Sequence, residues 1–270
     1  MNFVDGEILH LDKPPGWTSF DVVKRVRSIL LRRLGMKKLK VGHAGTLDPL
    51  ATGVVIVTTG RSTRLIEQLQ AGVKEYVATI AIGATTPSFD LETEIDAVFP
   101  AGHVTEEAVR AVLPQFTGRI EQVPPSYSAI KVDGHRAYNA ARKGKEVELK
   151  PKVLVIDEIE LLDFKPAGEA GIDISPDSDE TLQSRLVRRH LSEQHRGLAT
   201  ATVRIVCSKG TYIRALARDI GQALGSGAHL VGLRRTRVGD VTADRCMTIE
   251  AGTKLLEDCP IEMPDDNKQP

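Results

Sequence analysis

A glycine-rich loop, residues 42–53, constrains this chain more than any other segment. It reads GHAGTLDPLATG and runs directly into an apolar stretch typical of a buried strand. Its glycines permit backbone turns that other residues resist, and Pro49 pushes Asp48 away from helical geometry toward an extended conformation. Asp48 is therefore a carboxylate presented by a tight turn at the entry of a strand. Such a carboxylate can act on a ligand, or it can merely accept backbone hydrogen bonds, as Asp often does beside Gly and Pro.

The charges of the chain balance overall but not locally. There are 36 Lys and Arg residues against 36 Asp and Glu residues, so the net charge neither requires nor excludes a polyanionic partner. Residues 21–40 contain eight basic residues and a single acidic one, whereas the chain from Glu257 onward is mostly acidic. The net charge of zero is therefore compatible with a basic surface formed by residues 21–40.

Cysteine usage and the lack of long apolar runs indicate the compartment. Cys207, Cys246 and Cys259 are too few and too scattered for a disulfide framework or a zinc site. The first ten residues lack the basic and apolar pattern of a leader, and no stretch approaches the roughly 20 apolar residues that span a bilayer. We expect a soluble protein of the reducing cytoplasm.

Residue periodicity predicts helices and strands that interleave without regular alternation. Helices are predicted over residues 18–34, from Thr105 to just before Gly118, and over 213–224. Strands are predicted over residues 54–58, 76–82, 153–162 and 201–207. This order favours a mixed sheet with packed helices over a regular parallel α/β fold.

Two segments depart from this body. Residues 124–151 combine prolines, glycines and basic side chains with Tyr127 and Tyr138. They are a candidate RNA-gripping projection, or else an ordinary solvated hairpin and helix. Residues 165–197 are polar and contain an acidic run followed by basic residues. We expect a mobile surface insertion there, whose basic half either touches RNA or forms a short solvated helix.

Ordered motifs along most of the chain resemble the TruB family of tRNA pseudouridine synthases. Besides the loop at 42–53, the matching segments are LDKPPG at 11–16, KEY at 74–76, PPSYSA at 124–129, CSKGTYIRALARDIG at 207–221 and GAHLVGLRR at 227–235. The resemblance implies the pseudouridine synthase fold: α+β, with a mixed, mostly antiparallel sheet, packed helices and an RNA-gripping loop. It implies a catalytic domain over residues 1–250. Residues 251–270 are then expected to be an acidic tail and not a complete PUA domain, the RNA-binding module that family members commonly carry.

The same resemblance implies the isomerisation of uridine to pseudouridine at position 55 in the T arm of tRNA. The bond between base N1 and ribose C1′ breaks, and base C5 is joined to the same C1′. Since no outside atom or redox equivalent is consumed, no cofactor and no metal are expected. The expected partner is the T arm of a tRNA, with no membrane and no obligatory protein partner, and the chain is expected to be a monomer.

Asp48 is the implied catalytic residue. Sequence leaves open whether it attacks C1′, adds to C6 of the base or assists proton removal from C2′. By resemblance, Arg214 pairs with this aspartate, Tyr212 borders the target base, Tyr76 stacks on the uracil and Leu233 forms an apolar wall beneath it. If the backbone remains extended through residue 214, Tyr212 and Arg214 project to the same side.

The target base must leave the RNA loop before a carboxylate can reach it, which costs a few kcal/mol. His43 matches the family histidine that enters the RNA and is the candidate to fill the vacated space. Lys13 and Arg64 match basic or structural family positions, and Lys13 is also a candidate brace for the catalytic loop. Lys131 and Arg142, in the projection, complete the expected RNA-binding residues. The basic cluster over residues 25–40 would add salt-sensitive phosphate attraction.

Two other functions stay open at this stage. One is a guide-RNA-dependent pseudouridine synthase, which shares the catalytic core but uses a C-terminal domain for docking its guide. The other is a noncatalytic RNA-binding or tRNA-folding protein that retains the surface. Activity on an isolated tRNA arm without a guide would separate the first, and the effect of replacing Asp48 would separate the second.

Overall fold

The computed structural model describes residues 1–128, 131–132, 135–136, 149–168, 170–173 and 190–262. The chain divides into two compact units. Unit 1 comprises Met1–Glu75 and Arg234–Pro270, and unit 2 comprises Tyr76–Leu233. Unit 1 is thus built from both ends of the chain. None of the helices in the described part of the chain is long and apolar enough to cross a membrane.

Helices and strands alternate irregularly along the described residues, as the periodicity predicted. The α-helices are α1 (Ser19–Leu34), α2 (Ile66–Ala71), α3 (Glu106–Val112), α4 (Ile213–Ala223) and α5 (Ile249–Asp258). The strands are β1 (Ile8–Lys13), β2 (Val41–His43), β3 (Thr52–Thr59), β4 (Lys74–Ile82), β5 (Ala84–Thr85), β6 (Ala97–Val98), β7 (Gly118–Gln122), β8 (Lys131–Val132), β9 (His135–Arg136), β10 (Lys152–Lys165), β11 (Ala199–Cys207), β12 (Ala228–Val238), β13 (Val241–Thr242) and β14 (Met247–Thr248). Short 3-10 helices cover Gly60–Leu65, Leu113–Phe116, Glu193–His195 and Ala243–Arg245.

The sheet of unit 1 has the order β14, β1, β3, β12. Strand β1 is antiparallel to β3 and parallel to β14, and β12 is parallel to β3. Strand β2 pairs antiparallel with the end of β3, at residues 57–59, whereas β12 pairs with its beginning, at residues 52–53. The loop that carries Asp48 connects β2 to β3. It therefore enters β3 at the end that pairs with β12 and not with β2.

Helix α1 begins and ends as its sequence predicts. The Thr18 hydroxyl accepts from the backbone N–H of Asp21, and the Asp21 carboxylate accepts from the Thr18 N–H, which forms a capping box. The helix ends at Gly35, whose φ of 63° is left-handed. Its apolar face, with Val22 and Val26, packs toward β1 and α5.

A helix spans residue 250, where the acidic tail was expected to begin. Thr248 caps α5 by accepting from the N–H of Ala251, and the helix buries Gly252 and Leu256. A Cβ at Gly252 would lie 2.7 Å from Leu11 Cδ2, so the glycine permits the close approach of α5 to β1. Residues 251–258 therefore belong to a packed helix and not to an acidic tail. The apolar residues of this helix recur at helical spacing and form its buried face.

Unit 2 contains the order β12, β4, β11, β10, β7, with β10 antiparallel to both β11 and β7. Helix α4 is amphipathic and buries Leu216, Ala217 and Ile220. The predicted strands and the helix at 213–224 are confirmed, with the strands somewhat longer than predicted. Thr105 is the N-cap of α3, but the α-helix ends at Val112 and continues as a 3-10 turn. The predicted α+β class with mostly antiparallel pairing is confirmed.

The two ends of the segment predicted as an insertion pair with each other. The N–H of Gly168 donates to the carbonyl of Gly197 at 2.8 Å, and the N–H of Ile172 donates to that of Leu198 at 3.0 Å. The mobility was predicted for residues 165–197, and residues 169 and 174–189 of this segment lie outside the described residues. Residues 129–130, 133–134 and 137–148 of the projection also lie outside them.

Candidate active site

Asp48 lies on the loop of the hairpin formed by β2 and β3. The N–H of Ala44 donates to the carbonyl of Ile56 at 2.9 Å, and the N–H of Ala51 donates to the carbonyl of Asp48 at 3.1 Å, which closes the turn. Gly45 has a φ of 96° and Gly53 a φ of 105°, both in the region that favours glycine. The predicted turn at the entry of a strand is confirmed. The Asp48 residue itself is only half-buried.

Lys13 ties this loop to the start of α1. Its side chain is fully buried, and Nζ donates to the carbonyl oxygens of Pro14 (3.0 Å), Trp17 (2.6 Å) and Pro49 (3.1 Å). Burial lowers the pKa of Lys13 to about 7, while the charge of Asp48 opposes this shift. The three carbonyl acceptors also favour the protonated form. Of the two predicted roles of Lys13, this geometry supports the brace.

Arg235 was not singled out from sequence, yet it is a buried contact of the Asp48 loop. The residue is 1% exposed and lies on β12. Its guanidinium donates through Nε to the carbonyl of Val54 (2.8 Å), through Nη1 to that of Thr46 (3.3 Å) and through Nη2 to that of Gly45 (3.2 Å). One side chain thus joins the loop to the strand that follows it.

A second contact that sequence reasoning missed is made by Ser19, the first residue of α1. Its buried hydroxyl accepts from the N–H of Leu47 at 2.8 Å and donates to the carbonyl of the same residue at 3.2 Å. The backbone directly before Asp48 is therefore held by α1, and the backbone directly after it by Lys13. Neither contact has a local sequence signal, because both partners are far away along the chain.

The neighbour of Arg235 on β12 makes a different kind of contact. Arg234 donates to both carboxylate oxygens of Asp12, at 3.1 and 2.7 Å, and its side chain is 36% exposed. Successive strand residues point to opposite faces of a sheet. One face of β12 therefore carries a half-exposed ion pair, and the other carries the buried guanidinium under the loop.

His43 and Arg64, two of the predicted RNA-binding residues, also lie in unit 1. His43 is half-buried on β2, and burial lowers the pKa of its imidazole, so the ring is neutral near pH 7. Arg64 is exposed at the end of the 3-10 helix after β3, and its Nε donates to the carbonyl of Arg61 at 3.2 Å.

The basic cluster over residues 25–40 is divided by the structure. Arg33 donates to the carbonyls of Leu256 and Cys259 at 2.8 Å each, at the C-terminus of α5, where a cation is favourable. Arg27 donates to the carbonyl of Val41 at 2.8 Å. Exposed side chains remain beyond the end of α1, at Lys37, Lys38 and Lys40. Part of the cluster is therefore used within the protein.

In unit 2, Arg214 is 5% exposed and lies at the second residue of α4. Its Nη1 donates to the carbonyl of Ser88 at 3.1 Å, its Nη2 donates to that of Tyr127 at 2.9 Å, and its Nε lies 3.5 Å from Asp90 Oδ2. The condition under which Tyr212 and Arg214 would share a strand face, extended backbone through residue 214, is not met. Tyr212 is the extended N-cap, and the amphipathic stripe that follows makes the chain helical from Ile213.

The segment that meets Arg214 was not predicted. Asp90 is buried, and its Oδ1 accepts from the N–H of Glu92 at 2.9 Å. The residue before it, Phe89, has a φ of 61°, which is uncommon for a residue with a side chain. No glycine marks this turn, so the sequence carries no signal of the left-handed backbone.

Tyr212 is positioned by a residue that sequence reasoning also missed. The side-chain amide of buried Gln122 donates to the Tyr212 carbonyl at 3.1 Å, and its oxygen accepts from the Tyr212 N–H at 2.9 Å. Tyr76 is buried in β4, and Leu233 is half-buried in β12. Of the predicted residues in the projection, Lys131 lies in β8, where only the backbone is described, and Arg142 lies outside the described residues.

The described residues contain no group of three or more His, Cys, Asp or Glu side chains that could hold a metal ion. The chemistry that they offer is that of a carboxylate on a braced loop in unit 1. Unit 2, by itself, contains the buried guanidinium of Arg214 and the tyrosines Tyr76 and Tyr212. These are residues for charge stabilisation, proton transfer or nucleophilic attack.

Family comparisons identify the class to which this fold and these residues belong. A sequence model described as "TruB family pseudouridylate synthase (N terminal domain)" matches residues 32–182, and one described as "tRNA pseudouridylate synthase B C-terminal domain" matches residues 214–258. The chain belongs to the TruB family of pseudouridylate synthases. The second match and α5 both end at residue 258.

Similar proteins extend over nearly the whole chain. A protein of Phocaeicola vulgatus is 54% identical over 97% of this chain and 98% of its own length, and one of Bacteroides thetaiotaomicron is 55% identical over 99% and 100%. One of Flavobacterium johnsoniae is 42% identical over 94% and 98%. All three are named tRNA pseudouridine synthase B. The predicted isomerase class, a pseudouridine synthase, is thus confirmed.

Two solved structures share the fold at lower identity. "Crystal Structure of a Cbf5-Nop10-Gar1 Complex" matches with a TM-score of 0.60 and 28% identity, over 96% of this chain and 57% of that chain. "Structure of H/ACA RNP bound to a substrate RNA containing 2'-deoxyuridine" matches with a TM-score of 0.58 and 26% identity, over 93% and 53%. This chain therefore spans little more than half of those chains.

Proposed function

We propose that this chain converts uridine to pseudouridine at position 55 in the T arm of tRNA, with Asp48 as the essential carboxylate. The observation that carries the proposal is the bracing of the Asp48 loop. Buried Lys13, Ser19 and Arg235 hold the backbone around it, while Asp48 itself stays half-buried. Such bracing positions a reacting group without the cost of ordering it during catalysis. The relatives named tRNA pseudouridine synthase B support the choice of tRNA.

The reaction is an internal rearrangement whose atoms balance without a co-reactant. The N1–C1′ bond breaks, the detached base rotates, and its C5 bonds to C1′. The proton on C5 then leaves, and N1 takes up a proton. A carboxylate can serve by attack on C1′, by addition to C6 or by proton removal from C2′. All three routes require Asp48 in its ionised form.

The remaining family roles belong to the same proposal. Arg214 would keep Asp48 ionised, because a nearby guanidinium favours the charged form of a carboxylate. Tyr76 would stack on the uracil, Tyr212 would border it, and Leu233 would form the apolar wall beneath it. The base must first be flipped out of the RNA loop, and His43 is the residue proposed to fill its place.

Recognition of the RNA would rest on its shape and phosphates more than on sequence. The exposed cations that remain in the basic cluster, at residues 37–40, and Arg64 are candidates for phosphate contacts. Lys131 and Arg142 are candidates in the projection. Each such contact would make binding more sensitive to salt.

The direct test uses tRNA transcribed in vitro with tritium at C5 of its uridines. Because C5 loses its hydrogen when it bonds to C1′, each turnover releases one tritium atom into water. We expect release with the wild-type protein and none with Asp48→Asn, although both bind the tRNA. Asp240→Asn, a change at an exposed aspartate of the same unit, is the matched control and should retain activity.

Replacing the uridine at position 55 by cytidine tests the position. The proposal requires that this change abolish tritium release while the other uridines of the tRNA remain present. Release that survives the change would assign the activity to another site. Full release with Asp48→Asn would refute the role of the carboxylate, and binding without any release by the wild type would support a noncatalytic RNA-binding protein.

A guide-RNA-dependent synthase is the second candidate, since one of the solved structures that share this fold is titled an H/ACA RNP bound to a substrate RNA. The near full-length relatives named tRNA pseudouridine synthase B favour the first. An isolated T-arm hairpin separates the two functions. Turnover of the hairpin by the purified chain alone supports a stand-alone enzyme, and turnover only after a guide RNA is added supports the alternative.

The proposal also includes a cytoplasmic monomer that needs no cofactor, metal or protein partner. Its three cysteines are free thiols, as a reducing compartment maintains them. Activity of the purified chain in the presence of a chelator, combined with light scattering to measure its mass in solution, tests these points together.

A further inference from the structure

We propose that Arg218 is a positioning residue that couples the Asp90–Arg214 pair to the root of the segment predicted to grip RNA. This inference rests on the proposed function, since it assigns Arg218 a purpose within that reaction. Arg218 lies one helical turn after Arg214 on α4. Its side chain is only 17% exposed, so the guanidinium is largely withdrawn from solvent.

The first contact of Arg218 is with Phe89. The guanidinium carbon lies 4.9 Å from the centre of the Phe89 ring, within the distance of a cation–π interaction. Phe89 is the only residue other than glycine with a positive φ among the residues that the structure describes. A left-handed backbone is unfavourable for a residue with a side chain and persists only where its surroundings impose it. The guanidinium of Arg218, placed over the Phe89 ring, is a contact that can hold this backbone conformation.

The position of Phe89 makes this contact relevant to Arg214. Phe89 lies between Ser88, whose carbonyl accepts from Arg214, and Asp90, whose carboxylate faces Arg214. Its own carbonyl accepts from the N–H of Leu230 at 3.0 Å, next to the bridge between Asp90 and Leu230. If Phe89 relaxed to an ordinary φ, the carbonyl before it and the carboxylate after it would both turn away from Arg214.

The second contact of Arg218 is with the root of the projection. Its Nη2 donates to the carbonyl of Val123 at 3.1 Å, and Arg214 donates to the carbonyl of Tyr127 at 2.9 Å. Two arginines one turn apart therefore bind the same two segments, residues 88–90 and residues 123–127. Loss of Arg218 should release one end of each segment, which affects both the reaction and the grip on RNA.

Arg218 has a further partner, Asp219, that has to be separated from this role. Its Nε donates to Asp219 Oδ1 at 2.8 Å, and the Asp219 side chain is 22% exposed. Burial raises the pKa of Asp219, and Arg218 opposes that shift. Removing Arg218 alone leaves a largely buried carboxylate without this cation, which can destabilise the fold for a reason unrelated to the Phe89 contact.

The experiment therefore compares Asp219→Asn with the double variant Arg218→Ala/Asp219→Asn. The measurements are the melting temperature, the affinity for tRNA and the single-turnover rate at saturating tRNA. We expect Asp219→Asn to behave as the wild type. The double variant should melt at nearly the same temperature but react about tenfold more slowly or worse, which corresponds to a barrier higher by about 1.4 kcal/mol. It should also bind tRNA more weakly.

A background of Phe89→Gly tests whether the effect passes through Phe89. Glycine adopts the left-handed φ without strain and removes the ring. Arg218→Ala/Asp219→Asn should therefore slow the reaction by a clearly smaller factor in the Phe89→Gly background than in the Phe89 background. An equal factor in both backgrounds overturns the proposed route. A double variant as fast as Asp219→Asn, or one whose loss is explained by its melting temperature, overturns the inference as a whole.

Failure of this inference is distinguishable from failure of the proposed function. If the wild type forms no pseudouridine, the function itself is wrong. If the wild type is active, Asp48→Asn is inactive and the Arg218 variants match their controls, only the positioning role is refuted.

Discussion

Replacing Arg235 by methionine is the sharpest test of how the Asp48 loop is held. Methionine fills much of the volume of the arginine stem but removes the guanidinium. The carbonyls of Gly45, Thr46 and Val54 then lose their charged donor. The matched control is Arg234→Met, which removes the neighbouring guanidinium from the half-exposed pair with Asp12.

The magnitude follows from the contacts. A hydrogen bond to a charged group contributes about 1.5–3 kcal/mol, and a buried acceptor left without a donor costs about 1–3 kcal/mol. Only the bond to Val54, at 2.8 Å, is short, since those to Thr46 and Gly45 measure 3.3 and 3.2 Å. Part of the loss is recovered because a charge is no longer buried and Lys13 loses a repulsive neighbour. We expect Arg235→Met to cost about 3 kcal/mol and Arg234→Met less than about 1 kcal/mol.

Urea denaturation and hydrogen exchange measure the two parts of this prediction. A loss of about 3 kcal/mol moves the urea midpoint down by about 1 M or more. Amide exchange over residues 42–53 should accelerate in Arg235→Met more than elsewhere in unit 1, because the loop opens locally before the fold does. Equal midpoints for the two variants, or a loop whose exchange is unchanged in Arg235→Met, would refute the bracing role.

Three further predictions follow from other contacts. Gly53→Ala should lower the melting temperature markedly, because the φ of Gly53 is 105° and the added Cβ would lie 2.1 Å from a backbone oxygen of β12. Gly102→Ala is the control and should be tolerated, because the added Cβ would have no neighbouring atom within 4 Å. Burial lowers the pKa of His229 from 6.5 to about 4, so between these pH values the unfolded chain binds a proton that the folded chain does not. Stability should therefore fall as the pH drops from about 6.5 toward 4, and His229→Phe should flatten that part of a profile of melting temperature against pH. Arg33→Ala should lower the free energy of unfolding by about 1–2 kcal/mol through the lost contacts at the end of α5. Lys38→Ala should leave the melting temperature unchanged but reduce the salt dependence of tRNA binding, measured by a filter-binding assay.

The elements of the fold were largely predictable because their signals are local. Helix α1 has a capping box at its start and a glycine at its end, and α4 has an apolar stripe at helical spacing. The turn at Asp48 was predictable from its glycines and Pro49. The start of α4 at Ile213 was predictable from the same stripe, which begins at that residue.

The contacts that hold the Asp48 loop and Tyr212 in place were not predictable from the sequence. Ser19 and Arg235 reach the Asp48 loop from positions far from it in sequence, and Gln122 reaches Tyr212 from 90 residues away. Charge counting could not separate Arg33, which is used at the end of α5, from Lys38, which is exposed. The periodicity of a helix or strand identifies the face that is buried but not the atom that meets it.

By itself, the sequence determined the family, the alternation of helices and strands, and the carboxylate on its turn, since these depend on residue identity and on spacing along a short stretch of chain. Only the tertiary structure decided which buried side chains brace that turn, that Arg214 faces Asp90 from within a helix, and that Phe89 has a left-handed backbone beneath Arg218. Those outcomes depend on strand register and on helix packing. Both bring together residues that no local pattern connects.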